Sequence, residues 1–69
     1  MKKIQISTEY IKLDSFLKFV GEAETGGMAK EMILDSEVKV NNETCNIRGK
    51  KLYSGDTVEI FDNTYEVTY

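Results

Sequence analysis

The sequence contains no histidine and only one cysteine, Cys45. Without histidine there can be no Ser-His-Asp triad, no Cys-His nucleophile pair and no zinc site of mixed His and Cys ligands. One cysteine cannot close an internal disulfide, so the core must hold without covalent staples. Cys45 also lacks a basic partner, and it reads as a small structural residue rather than a nucleophile. Long apolar runs are missing too, and none approaches the roughly 20 residues of a membrane-spanning helix. The start does not read as a secretion signal: Lys2-Lys3 leads into alternating Ile4-Gln5-Ile6, not into an apolar stretch. The location expected is cytoplasmic. Repeats, linkers and low-complexity tracts are absent. Carboxylate pairs occur (Glu22 with Glu24, Glu9 with Asp14), but none has an apolar setting that would shift a pKa. Gly26-Gly27 lacks the spacing of a phosphate loop or a dinucleotide fingerprint. The sequence gives no sign of an enzyme, a cofactor, a metal or a small-molecule substrate.

What remains is enough for one small domain. At 69 residues the chain is near the size at which a single core barely stabilises a fold. Its composition, 41% hydrophobic and 30% charged, is that of a globular protein rather than a disordered one. A net charge of −3 argues mildly against nucleic acid, but distribution matters more than the sum. Residues 54–69 hold Asp56, Glu59, Asp62 and Glu66 and no base. Residues 46–53 hold Arg48, Lys50 and Lys51 and no acid. The spacing predicts a basic edge and an acidic back.

Lys2 to Ser7 alternates, with Ile4 and Ile6 on one side, and reads as a strand. Leu13, Phe16, Leu17 and Val20 recur at the spacing of one helical face. Asp14 suits the positive end of that helix, and Gly21 can end it in a left-handed cap. Phe19 lies off this face, as a second packing contact or an exposed aromatic. Thr25 is the N-cap expected for a second helix, on which Ala29, Met32, Ile33 and Ser36 share a face. Val38 and Val40 then alternate with polar residues as a half-buried strand ending in an Asn41-Asn42 turn. Glu43 to Lys51 reads as a returning strand and loop, with Arg48-Gly49-Lys50-Lys51 an exposed basic turn. Ser54-Gly55-Asp56 is a further turn, Thr57 to Phe61 a strand with Val58 and Ile60 inward, and Asp62-Asn63 the turn into a last strand. That strand places Tyr65, Val67 and Tyr69 on one face. The fold class is α+β: an N-terminal strand, then two packed, helix-turn-helix-like helices on a small twisted antiparallel sheet.

Read in order, Lys12-Leu13-Asp14, Phe16-Leu17-Lys18, Thr25…Ala29-Lys30, Met32-Ile33 and Val38-Lys39-Val40-Asn41 form one pattern. Arg48-Gly49-Lys50-Lys51-Leu52 and Gly55-Asp56-x-Val58-Glu59-Ile60 complete it. The whole resembles the S-four RNA-binding domain, named after ribosomal small-subunit protein four, in its stand-alone YaaA-like bacterial branch. The resemblance covers about fifty of the 69 residues. It implies an alpha-L motif of two helices on a sheet, in a single RNA-binding domain over 1–69 with its core motif at 12–61. The partner implied is structured RNA, ribosomal RNA or a ribosome assembly intermediate, bound on the helix-strand face. Gly26 and Gly27 stand where the family often carries an arginine, which shifts the expected phosphate contacts toward Arg48, Lys50 and Lys51.

The RNA-binding residues this reading assigns are Lys12, Thr25, Lys30, Lys39, Asn41, Arg48, Lys50 and Lys51. Lys12 and Lys30 each begin a helix, where a cation opposes the dipole and gains nothing for the helix itself. Thr25 can cap and touch phosphate together. Tyr53, Tyr65 and Tyr69 could stack bases, but strand packing accounts for them better. Two rival readings remain. A β-grasp regulatory module, like those of threonyl-tRNA synthetase, shares the Val-Asn turn and Gly-Asp-x-Val strand but has one main helix. A sulfur carrier of that fold would end in Gly-Gly, and this sequence ends Val67-Thr68-Tyr69. The other rival is a protein-interaction adaptor that uses the acidic sheet face.

Overall fold

The computed structural model describes all residues, Met1–Tyr69. In chain order the elements are β1 (Lys2–Gln5), β2 (Ile11–Lys12), α1 (Leu13–Phe19), α2 (Gly26–Leu34) and β3 (Val38–Val40). Then follow β4 (Glu43–Thr44), β5 (Lys51–Leu52), β6 (Thr57–Ile60) and β7 (Asn63–Thr68). Two helices thus lie between residues 13 and 35 and pack on each other, which is not the single-helix plan of a β-grasp module.

Both helices end the same way. Gly21 turns left-handed at φ 85°, and its N–H donates to Lys18 O while that of Glu22 donates to Leu17 O. Ser36 does the same for α2 at φ 62°, with Ser36 N–H donating to Ile33 O and Glu37 N–H to Met32 O. This pair of bonds satisfies the last free carbonyls of a helix. Ser36 therefore closes α2 and does not lie on its apolar face as its spacing suggests. Thr25 caps the start of α2, its hydroxyl accepting from Met28 N–H at 3.1 Å.

The main sheet has the order β1-β7-β6-β3-β4. The pairs β3–β4, β3–β6 and β6–β7 are antiparallel, but β1 runs parallel to β7, with Lys2 beside Tyr65 and Gln5 beside Thr68. The sheet is mixed, where alternation alone suggested an antiparallel one. The two strands come from opposite ends of the sequence with both helices between them, and periodicity says nothing about strand direction. Asn41 and Asn42, at φ 52° and 70°, make the two-residue hairpin between β3 and β4. The β6–β7 hairpin turns through Phe61-Asp62, one residue earlier than Asp62-Asn63, because Ile60 pairs with Asn63. That register sets Val58 opposite Tyr65, with both side chains in the core. Tyr69 lies beyond β7 and is exposed.

One face of the sheet and the facing sides of the helices form the core. Phe16, Leu13, Leu17, Ile33, Leu52, Ile60, Val38, Val58 and Val67 are fully buried, and no polar side chain is buried with them. Burying each large apolar side chain stabilises by about 1.5–3 kcal/mol, so the absence of unpaired polar groups matters in so small a core. Phe16 meets Tyr65 edge-on, with ring centroids 5.9 Å apart. Phe19 is exposed. The strands β2 and β5 form a separate two-stranded ribbon beside this core, anchored through buried Leu52.

Candidate nucleic-acid interface

The ribbon positions the basic residues. Ile11 pairs with Leu52 and Lys12 with Lys51. Successive side chains of a strand point to opposite faces. Leu52 is buried, so Lys12 and Lys51 point outward, side by side. Like charges directly opposite on an antiparallel pair are destabilising. One step further along the register, Tyr10 faces Tyr53 with ring centroids 5.9 Å apart and planes at 45°. The Lys51 ammonium lies 4.7 Å from the centre of the Tyr10 ring, a diagonal cation–π contact.

The loop before β5 docks on the start of α1. Lys12, at the N-cap, offers no side-chain acceptor. Instead Leu13 N–H donates to Lys50 O at 2.8 Å and Asp14 N–H to Arg48 O at 3.1 Å. Two of the first-turn donors that a helix leaves free are thus satisfied by the basic loop. The same bonds hold Arg48 and Lys50 beside Lys12. Asn46 anchors the loop's other end, its amide donating to Ile33 O at 3.0 Å and to Ser36 Oγ at 2.8 Å. This ties the loop to the left-handed end of α2.

Asn41 is engaged within the chain. Its amide donates to Asp56 Oδ1 at 3.1 Å, and its carbonyl oxygen accepts from Thr57 N–H at 2.9 Å. Asp56 Oδ2 accepts from Tyr53 N–H at 2.8 Å. One carboxylate therefore joins the hairpin after β3 to the residue that ends the ribbon. An open hollow of about 550 Å³, lined among others by Asn41, Glu43, Asn46, Ile47 and Lys50, separates hairpin from loop. Cys45 lines it too, half-buried.

Of the eight residues read from sequence, Lys12, Arg48, Lys50 and Lys51 meet at the ribbon and its loop, and Asn41 borders the hollow beside Lys50. Thr25 and Lys30 belong to α2. Lys30 is the fifth residue of that helix, a turn beyond its start, so the dipole argument made for it does not apply. Lys39 lies on the outer face of the sheet, with Glu59 and Thr44 as its cross-strand neighbours. Opposite charges there compensate each other. Tyr10, Asn46 and the linking role of Asp56 escaped the sequence reading. Only the β2–β5 register exposes the first, and strands of two residues carry no periodicity. No three of His, Cys, Asp or Glu converge as a metal site requires.

The family model described as S4 domain matches residues 4–68. The chain belongs to the S4 domain family. It is 53% identical over 57 residues to the probable ribosome maturation protein RlbA of Bacillus subtilis (strain 168), a match spanning 83% of this chain and 80% of that protein. Among solved structures it is similar to YbcJ from E. coli, with a TM-score of 0.74 and 26% identity. That comparison covers 100% of this chain and 89% of YbcJ, whose solution structure is described as revealing an alfaL motif involved in RNA-binding. The helix pair, the ribbon and the mixed sheet are therefore an S4-type α+β fold. No helix is long and apolar enough to cross a membrane.

Proposed function

We propose that this chain is a stand-alone RNA-binding protein of the cytoplasm, acting on ribosomal RNA or a ribosome assembly intermediate. One observation carries the reading. Lys12 and Lys51 are set side by side on the ribbon, and backbone hydrogen bonds bring Arg48 and Lys50 to the same place. Such crowding of one sign lowers stability in isolation and creates the local positive potential that phosphates need. RlbA and the alfaL motif of YbcJ supply the ribosomal and RNA context. Contacts of this kind track backbone and shape, so discrimination falls between RNA folds more than between sequences.

Mobility-shift titration on structured ribosomal RNA tests this. With four phosphate contacts, log K falls against log salt with a slope of roughly −3.5, taking about 0.9 per contact on duplex. Replacing Arg48, Lys50 and Lys51 by Glu abolishes binding at moderate salt and flattens the slope. No binding at low salt, or binding indifferent to the triple replacement, rules the proposal out. Partners that survive ribonuclease treatment of a lysate would instead favour an adaptor role.

A further inference from the structure

We infer that the outward face of the β2–β5 ribbon is a stacking platform for an unpaired nucleotide of the bound RNA. The base stacks on the exposed Tyr53 ring beside Tyr10, and Lys12 and Lys51 receive the neighbouring phosphates. This rests on the RNA-binding reading above and extends it to a class of target: RNA in which a bulge or loop interrupts a duplex.

Four features converge on this. Tyr53 is 45% exposed although its neighbour Leu52 is fully buried, and Tyr10 is half-buried. Their ring centroids lie 5.9 Å apart with the planes tilted at 45°, so a base stacked on one ring meets the other at an angle. The backbone beneath them is held in place. Tyr53 N–H donates to Asp56 Oδ2 at 2.8 Å and Tyr53 O accepts from Asp56 N–H at 3.0 Å, while Tyr10 O accepts from the Thr8 hydroxyl at 2.7 Å. These bonds fix the backbone from which the two rings project, which reduces the entropy lost on binding.

The third feature is charge. Lys51 already lies 4.7 Å from the Tyr10 ring centre and directly opposite Lys12, so an anion between the two ammonium groups relieves their repulsion. The fourth is chemistry. Exposed aromatics interleaved with cations bind single-stranded nucleic acid by stacking with little sequence preference, because every base has a π-face. A purely structural role for the pair would be to brace a ribbon of two residues per strand. That role does not distinguish one RNA from another.

The test uses the full chain and two hairpin RNAs of equal length, one perfectly paired and one with a short bulge carrying 2-aminopurine. The wild type binds the bulged RNA about tenfold more tightly, the scale of one stacked base. Tyr53→Ala removes that preference and leaves affinity for the paired RNA unchanged. Tyr53→Leu, which keeps the bulk but not the π-face, does the same and guards against misfolding. Tyr53→Phe retains the preference. The sequence has no tryptophan, so Tyr53→Trp supplies a single indole that can be excited apart from the remaining tyrosines, and its fluorescence and that of the 2-aminopurine are quenched together on the bulged RNA only. Equal wild-type affinity for both RNAs, equal loss on both in Tyr53→Leu, or unquenched Tyr53→Trp emission overturns the platform while leaving RNA binding intact. Failure of the wild type to bind either RNA overturns both readings.

Discussion

Tyr65 shows how one side chain can serve packing and chemistry at once. Its ring fills the core against Phe16, and its hydroxyl donates to Glu22 Oε2 at 2.6 Å, an acceptor shared with the Asn63 amide at 2.8 Å. Glu22 belongs to the connector between the helices, so this contact fastens that connector to β7. Burial, the hydrogen bond to Glu22 and the nearby carboxylate charge push the Tyr65 hydroxyl up from 10.0 to about 12. Above about pH 10 the unfolded chain gives up this proton while the folded chain keeps it, so stability is full below pH 10 and falls as pH rises toward 12. Solvent near the hydroxyl screens the coupling, so the loss across that window is less than the figure of about 2–3 kcal/mol that two units would give. Urea titrations at intervals from neutral pH upward will show this decline in the wild type. Tyr65→Phe will start about 1–2 kcal/mol lower at neutral pH for want of the hydrogen bond, and its alkaline slope will be flattened.

The elements that periodicity describes are those with enough residues to repeat. The α1 face, the Thr25 cap, the Gly21 end, the alternation of β3 and β6 and the Asn41-Asn42 hairpin all follow from local side-chain chemistry and spacing. What spacing does not reveal is anything set by long-range pairing. The direction of β1, the existence of the β2–β5 ribbon and the place of Tyr10 depend on partners distant in sequence. The candidate site divides in the same way. Its basic loop is visible as a charge run, whereas its joining to Lys12 is made by backbone bonds no composition records. Asn41 and Asp56 show the difference well. Each reads as a turn residue, yet they bond each other across 15 residues and so couple the β3–β4 hairpin to the turn between β5 and β6. A double-mutant cycle in urea measures this. Asn41→Ala is expected to cost about 2 kcal/mol, from lost hydrogen bonds and a positive φ that alanine resists. Asn41→Gly, free of that strain, will cost less. Asp56→Ala will add about 0.5–1.5 kcal/mol less in the Asn41→Ala background than alone, the signature of a direct contact.

At the scale of the whole molecule, charge and connectivity divide the labour. The basic ribbon and loop come from residues 11–12 and 46–52, brought together by the fold, while Glu59 and Glu66 on β6 and β7 belong to the sheet. This lets a chain of net charge −3 present a cationic patch. The sheet itself depends on β7, which lies between β1 and β6 and supplies Tyr65 and Val67 to the core. Ending the chain at Asp62 removes that strand, and thermal melts should then show no cooperative transition. Removing residues 1–5 takes away only an edge strand and should leave a transition at lower temperature. The parallel seam of Lys2–Gln5 with Tyr65–Thr68 also has a consequence for biosynthesis. Within these 69 residues β1 is synthesised before every other element and β7 after them, so β1 must wait for its partner until nearly all of them have been made. The helices and the β3–β4 hairpin, built from near neighbours, can take shape meanwhile. Until then β1 has no partner on either edge, and Lys2 and Lys3 give it the charged, exposed side chains that disfavour pairing of an open strand.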